Sequence, residues 1–125
     1  EVFAHDLGKT CFLDLDVTIC GALDWLDDLP TDHGEVWAMK DALLPGMNSS
    51  VMMWHGARPQ VLDGSDGTQH PGGDQRWIET KLRDQVQYIH PPRVTSYKVH
   101  GPESGSIVVY HGKPKPWAVV HSGCE

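Results

Sequence analysis

Two aspartates, Asp14 and Asp16, interrupt an otherwise largely apolar run over residues 10–19. Carboxylates are costly to bury without a partner, so we expect both where a strand ends and the chain turns. Paired carboxylates in that position suit a hard divalent cation such as Mg²⁺ or Mn²⁺. The alternative is that the two side chains cap the next helix by accepting backbone N–H groups.

Further residues that could do chemistry stand near the end of the chain. His111 follows the apolar segment 107–110, and Lys113 and Lys115 come directly after it. An imidazole is a common metal ligand, and lysine ammonium groups neutralise phosphate oxygens. The structural alternatives are an imidazole bonded to backbone at a strand end and a solvated basic tail.

Polar residues also flank two elements in the middle of the chain. Asn48 precedes the apolar segment 51–54, and Asp74 and Gln75 begin a helical pattern. Asn48 could instead cap the following strand, and Asp74 is well placed as a helix N-cap. Capping and a functional role are compatible for Asp74.

The totals fit one domain over residues 1–125, with an extended tail from about residue 112. The net charge of −7 argues against nucleic-acid binding and suits cation recruitment. No apolar run approaches the roughly 18 residues of a membrane span. The chain opens at Glu1 without a signal-peptide pattern, an abrupt start that suggests a trimmed or partial chain. Three cysteines without a Cys-x-x-Cys pattern predict reduced thiols and a cytoplasmic protein.

Hydrophobic patterning predicts alternating strands and helices. A buried strand is expected over 9–19, a short helix or turn over 21–30, and a long surface loop over 58–73. The apolar stripe Ile78, Leu82, Val86 and Ile89 predicts a helix over 74–89. Further strands are predicted over 35–39, 51–54, 93–99 and 106–111. The expected fold class is α/β, a small mixed sheet with packed helices.

Four segments in this order carry a family resemblance, namely residues 12–19, 47–54, 73–78 and 109–117. Together they resemble the C-terminal half of nucleotide-diphospho-sugar glycosyltransferases of the GT-A fold. The nearest kin by these motifs are the glycogenin-like and retaining galactosyltransferase-like enzymes. The resemblance extends from about residue 5 to 117, and each motif alone is less specific than the four in sequence.

The resemblance implies a metal-dependent glycosyltransferase, or the catalytic half of one. Asp14, Asp16 and His111 match the residues that hold Mn²⁺ or Mg²⁺, and the cation bridges the diphosphate of the donor, usually a UDP-sugar. Asn48 matches a residue beside the sugar. Neither the donor sugar, nor the acceptor, nor a retaining or inverting outcome follows from the sequence.

The same resemblance places Asp74 and Gln75 on the reacting face of the donor sugar. Lys115 lies in a Lys-Pro-Trp segment that matches the family's phosphate-binding lysine. The spacing after His111 is shorter than in the glycogenin-like enzymes, so either Lys113 or Lys115 could be the phosphate contact.

The nucleotide-binding βαβ half that begins the GT-A fold is missing from this chain. The chain could be a fragment, a small protein that pairs to rebuild a site, or a remnant with a binding role. A sheet without that half would expose an open edge, so we expect a homo-oligomer or a partner chain that covers it.

Two other functions stay open at this point. A non-catalytic binding or assembly module derived from the same fold would keep the scaffold without transferring sugar. The segment Asp14 to Thr18 also resembles the first motif of haloacid-dehalogenase-like phosphatases, with Asp14 as nucleophile and Asp16 as acid/base. Those enzymes need acidic metal ligands downstream, and only Glu103 and Glu125 follow Lys98.

Overall fold

A computed structural model describes residues 2–62 and 73–119, with the side chain of Asp74 outside the description. The strands in these ranges are β1 (Lys9–Leu13), β2 (Val17–Ile19), β3 (Val36–Lys40), β4 (Met47–His55), β5 (Val86–Ile89), β6 (Val94–Ser96) and β7 (Ile107–Val109). The α-helices are α1 (Trp25–Asp28), α2 (Gly73–Leu82) and α3 (Tyr97–His100). Short 3₁₀ helices cover Val2–Ala4, Pro59–Leu62, Arg83–Gln85 and Pro116–Ala118.

The strands form two small mixed sheets. The larger sheet has the order β1-β4-β3-β5, with β4 antiparallel to both neighbours and β5 parallel to β3. The smaller sheet has the order β2-β7-β6, with β2 antiparallel and β6 parallel to β7. The predicted α/β class is confirmed, although the chain divides its strands between two sheets.

Strand β4 organises the core because it is buried on both faces. Successive side chains of a strand point to opposite sides, and here Met52 and Trp54 join one apolar cluster while Val51 and Met53 join the other. The first cluster packs against α2 through Leu82. The second cluster fills the space between the two sheets with members of both.

The predicted buried strand over residues 9–19 is wrong in two respects. The segment divides into β1 and β2, which belong to different sheets, and the turn between them exposes Leu15 to 93%. Strand β1 lies at a sheet edge, so its side chains are partly exposed rather than buried. The expectation that Asp14 and Asp16 lie where the strand ends is confirmed.

The helix predicted over residues 74–89 ends early. Helix α2 stops at Leu82, and Val86–Ile89 forms strand β5 parallel to β3. The apolar spacing of Val86 and Ile89 fitted a helical stripe, but the β-branched side chains also suit a strand, and pairing with β3 satisfies the backbone. Within the long loop predicted over 58–73, Pro59–Leu62 forms a 3₁₀ turn, and residues 63–72 lie outside the described part, so the prediction is not tested there.

The cysteines differ from the sequence expectation. Cys20 is disulfide-bonded, whereas Cys11 is a free and exposed thiol on the edge strand β1. The inference of reduced thiols is therefore wrong for Cys20, and the cytoplasmic assignment stays a prediction without that support. None of the helices in the described ranges has the length and apolar character that a bilayer span requires.

Candidate functional site

The turn that holds Asp14 and Asp16 connects the two sheets. The Asp14 N–H donates to the Ser50 carbonyl of β4 at 2.9 Å. The Tyr110 N–H, directly after β7, donates to the Asp16 carbonyl at 3.0 Å. These two bonds fix the backbone of both aspartates at the junction, from which their carboxylates extend.

Asp14 lies in a partly desolvated position beside other acidic charge. Burial raises the pKa of its carboxyl group, and the nearby Asp16 charge raises it further. The Ser50 hydroxyl, whose Oγ is 3.4 Å from Asp14 Oδ2, and the Lys115 charge act in the opposite direction. A carboxylate whose pKa is raised by burial and by a neighbouring carboxylate charge lies in a place that favours a cation.

Lys115 supplies a cation to this pair in the present conformation. Its Nζ lies 3.1 Å from Asp16 Oδ2, and both side chains are partly buried. The chain returns to the aspartates because Gly112 has φ +68, a left-handed conformation that side-chain-bearing residues rarely adopt. Lys113 is exposed, so of the two lysines left open by the sequence Lys115 is the one in contact with the aspartate pair.

Asn48 and His111 bring β4 and the end of β7 together at the same junction. The Asn48 Nδ2 is 3.3 Å from His111 Nδ1, and Asn48 Oδ1 accepts the Ser50 N–H at 2.8 Å. Burial lowers the pKa of His111; the charge of Lys98 lowers it as well, while Asp41 and Asp16 oppose the shift. The second ring nitrogen, Nε2, is buried with no hydrogen-bond partner in the described part of the chain.

Asp41 belongs to the site although the sequence reasoning missed it. Gln75 donates to Asp41 Oδ2 at 3.1 Å and accepts the Ser49 N–H at 3.3 Å, which links α2 to β4. Burial raises the pKa of Asp41, but hydrogen bonds from the Leu43 and Leu44 N–H groups and from Gln75 and Asn48 outweigh burial and lower it overall. The available signal was its position directly after β3, one strand away from Asn48.

Asp74, predicted beside Gln75, is the second residue of α2, and its side chain lies outside the described part. A small cleft of about 170 Å³ opens next to Asp14. Its remaining walls are mostly apolar and include Phe3, Phe12, Ser49, Met52 and Ile78. Asp14 therefore lies beside a partly apolar cleft, whose volume is small for a drug-sized ligand.

The expected three-residue metal centre is not assembled in this conformation. Among residues 2–62 and 73–119, no group of three or more His, Cys, Asp or Glu side chains could hold a metal ion. Asp14 and Asp16 fit a hard divalent cation by donor type, and the raised pKa of Asp14 beside the Asp16 charge supports that fit. His111 is instead engaged with Asn48 through Nδ1, so the fit rests on the two carboxylates.

Comparisons with known proteins place the fold and leave the family open. The chain matches no protein-family model and no curated protein. Among solved structures, the glycosyltransferase GlyE of Streptococcus pneumoniae TIGR4 matches with a TM-score of 0.68 at 15% sequence identity. The match covers 92% of this chain and 37% of the GlyE chain. This chain therefore has a glycosyltransferase-like α/β fold and spans little more than a third of the neighbour's length.

Proposed function

We propose that this chain forms the diphosphate-binding part of a metal-dependent glycosyltransferase that uses a nucleotide-sugar donor. The observation that carries the proposal is the junction where Asp14, Asp16 and Lys115 meet between the two sheets. The likeness of the fold to GlyE supports the same proposal. By family resemblance the donor is a UDP-sugar and the cation is Mn²⁺ or Mg²⁺.

In this proposal the aspartates bind the cation and the lysine binds the diphosphate. Asp14 and Asp16 hold the cation, which when bound neutralises the charge that develops on the leaving nucleoside diphosphate. Lys115 leaves Asp16 and donates to a phosphate oxygen, where its charge stabilises the same developing negative charge. Because both aspartates are fixed by backbone hydrogen bonds, little reorganisation of the turn is needed.

Residues on β4 and α2 would contact the sugar of the donor. Gln75 is oriented by Asp41 and the Ser49 N–H, so its amide has a defined position next to Asn48. We place Asn48, Asp74 and Gln75 along the donor sugar, with Asp74 and Gln75 at its reacting face. The acceptor is not identified by these residues.

Titration calorimetry with UDP, in the presence and absence of Mn²⁺, tests the proposal. The wild-type chain is expected to bind UDP only with Mn²⁺, and Asp16→Asn is expected to abolish this Mn²⁺-dependent binding of UDP. Asp32→Asn is the matched control, because Asp32 is an exposed aspartate in the turn before β3. Equal binding by the Asp16 and Asp32 variants would contradict the metal assignment, and no binding by the wild type would contradict the transferase proposal.

A binding or assembly role is the second candidate, and the edge of the larger sheet favours it. Strand β1 pairs only with β4 among the described strands, so its other edge has free backbone groups. A second copy of the chain could add a strand there, and we propose a homodimer through this edge. Self-association that responds to neither metal nor UDP would favour this role over catalysis.

The phosphatase alternative receives no comparable support. The structural match is to a glycosyltransferase, and Lys115 forms an ion pair with the aspartate that would have to act as the acid/base.

A further inference from the structure

The side-chain amide of Asn48 has only one orientation that satisfies its neighbours. Its Oδ1 lies 2.8 Å from the Ser50 backbone nitrogen, and that N–H needs an oxygen acceptor. The opposite amide atom, Nδ2, then faces His111 Nδ1 at 3.3 Å. The Asp41 carboxylate also accepts a hydrogen bond from the Asn48 side chain, which requires the nitrogen on that side. Two neighbours, Ser50 and Asp41, therefore agree that Nδ2 is the amide atom that faces His111.

This orientation fixes the tautomer of His111. An amide Nδ2 has hydrogens and no lone pair to offer, so His111 Nδ1 must accept and carries no proton. The ring proton consequently resides on Nε2. A nitrogen that carries a proton has no lone pair for a metal ion, whereas it can donate to an oxygen. Because Nε2 is buried with no hydrogen-bond partner in the described residues, its proton has no acceptor in this conformation, and a ligand oxygen could supply one once a side-chain movement opens a path to the ring.

A positive charge, that of Lys98, lies near enough to His111 to lower the pKa of its ring. Lys98 Nζ lies 3.7 Å from the position that a Cβ on Gly112 would take. Helix α3, which carries Lys98, is held against the end of β7 by the stacking of Tyr97 on the buried Tyr110, with ring centroids 4.6 Å apart. The Lys98 ammonium is therefore kept close to the His111–Gly112 backbone. It forms no salt bridge within residues 2–62 and 73–119.

The distribution of lysines supports an anionic ligand at this place. The chain has six lysines and a net charge of −7, yet three of the six are Lys98, Lys113 and Lys115 around the turn after His111. Lys115 is already paired with Asp16, and the Asp41 charge also acts on His111, so an anion at this place would be attracted by Lys98 and Lys113 against nearby negative charge. Burial lowers the pKa of His111 and so favours the uncharged ring, which contributes a hydrogen-bond donor, while the lysines contribute charge.

We propose that His111 Nε2–H and Lys98 Nζ together bind an anionic phosphate oxygen, and that His111 is not a metal ligand. The identity of the ligand as a nucleoside diphosphate rests on the proposed function. The tautomer of His111 and the position of Lys98 do not, because they are argued from Asn48, Ser50 and Gly112. In this arrangement Asp14 and Asp16 hold the cation, and His111 with Lys98 holds the phosphate.

Long-range ¹H–¹⁵N correlation spectra of the histidine rings test the tautomer in the unmodified full chain. We expect His111 to show the proton on Nε2 at neutral pH. Addition of Mg²⁺ alone should leave the Nε2 resonance in place, and inorganic pyrophosphate should shift it. A proton on Nδ1, or a shift of Nε2 by Mg²⁺ alone, would overturn the proposal.

Pyrophosphate affinity tests the role of Lys98. Lys98→Met should weaken binding about fivefold, in line with the loss of one partly exposed charge-assisted hydrogen bond. Lys9→Met is the matched control, because Lys9 is exposed at the opposite end of β1 and bonds only the Asp27 carbonyl among the described residues. Asn48→Leu provides a second variant: it removes the amide that donates to Nδ1 without adding charge, so the ring proton is no longer confined to Nε2 and pyrophosphate binding should weaken as well.

The outcomes separate this inference from the proposed function. If pyrophosphate binding depends on Lys98 while UDP with Mn²⁺ does not bind, the anion site stands and the transferase proposal fails. If UDP binding depends on Mn²⁺ and Asp16 but pyrophosphate affinity is the same for wild type and Lys98→Met, the transferase proposal stands and this inference fails. Absence of pyrophosphate binding to the wild type also overturns it.

Discussion

The ion pair between Lys115 and Asp16 predicts two opposite effects from one substitution. In the present conformation the Lys115 ammonium lies 3.1 Å from the oxygen that the proposed cation would use. A metal ion must displace it, whereas a phosphate group would gain it. Lys115→Met should therefore strengthen the binding of Mn²⁺ alone and weaken the binding of UDP in the presence of saturating Mn²⁺.

The size of the first effect follows from the exposure of the pair. The Lys115 and Asp16 side chains are 37% and 23% exposed, so water screens their attraction incompletely. Ion pairs near the surface contribute about 0.2–1 kcal/mol, and partial burial favours the upper end of that range. Since 1.4 kcal/mol corresponds to a factor of ten, release of about 1 kcal/mol tightens Mn²⁺ binding about fivefold.

Calorimetric titration of Mn²⁺, followed by UDP at fixed Mn²⁺, measures both effects on the same variant. Lys9→Met removes the same charge at the far end of β1 and should change neither affinity by more than about twofold, as expected for an exposed surface group. If Lys115→Met binds Mn²⁺ as weakly as the wild type does, the lysine does not compete for Asp16. If it binds UDP undiminished, the lysine does not reach the phosphate.

Three further predictions concern stability and assembly. Ile107→Ala should lower the free energy of unfolding by about 2–5 kcal/mol in urea denaturation, because Ile107 is fully buried. Its cross-strand partner Ile19 is 36% exposed, so Ile19→Ala should lower that free energy by less than half as much, and equal losses would contradict the assigned core. The backbone N–H groups along a strand alternate in direction; that of Asp14 points to β4, so that of Cys11 points to the free edge of β1. Cys11→Pro removes this N–H and should reduce the fraction of dimer measured by light scattering, whereas Cys11→Ser should not. A monomeric wild type at micromolar concentration would refute the edge dimer. Hydrogen bonds hold the pKa of Asp41 in the folded chain below its usual 3.8, so its ionised form contributes to folding stability fully above pH 3.8, and this contribution is lost as the pH falls through the folded pKa. Asp41→Asn should therefore lower the free energy of unfolding by about 1 kcal/mol at pH 7 and by progressively less below pH 3.8. A constant difference across this range would show that ionisation is not the cause.

Local sequence patterns were sufficient where a single element decided the structure. The apolar run 51–54 lies inside β4, which is buried on both faces, as continuous apolar runs in central strands usually are. The two aspartates stand at a strand end because their desolvation would be costly in the strand interior.

Patterns were insufficient where two elements competed or where the partner was distant. The spacing of Val86 and Ile89 fits a helix and a strand equally, and parallel pairing with β3 decided for the strand. Residues 9–19 read as one strand, but pairing with β4 and β7 divided them between two sheets. In each case the deciding hydrogen bonds come from residues far along the chain.

The sequence by itself determined which chemical groups the site contains: two carboxylates, an imidazole, an amide pair and nearby lysines. Only the tertiary structure decided how they are used. It brought Lys115 rather than Lys113 to Asp16 across 99 positions, added Asp41, and joined Asn48 to His111 across 63 positions. The physical reason is that the role of a side chain depends on which of its atoms faces the bound group. For His111 the position of the ring proton depends on the Asn48 amide, which only folding brings within 3.3 Å.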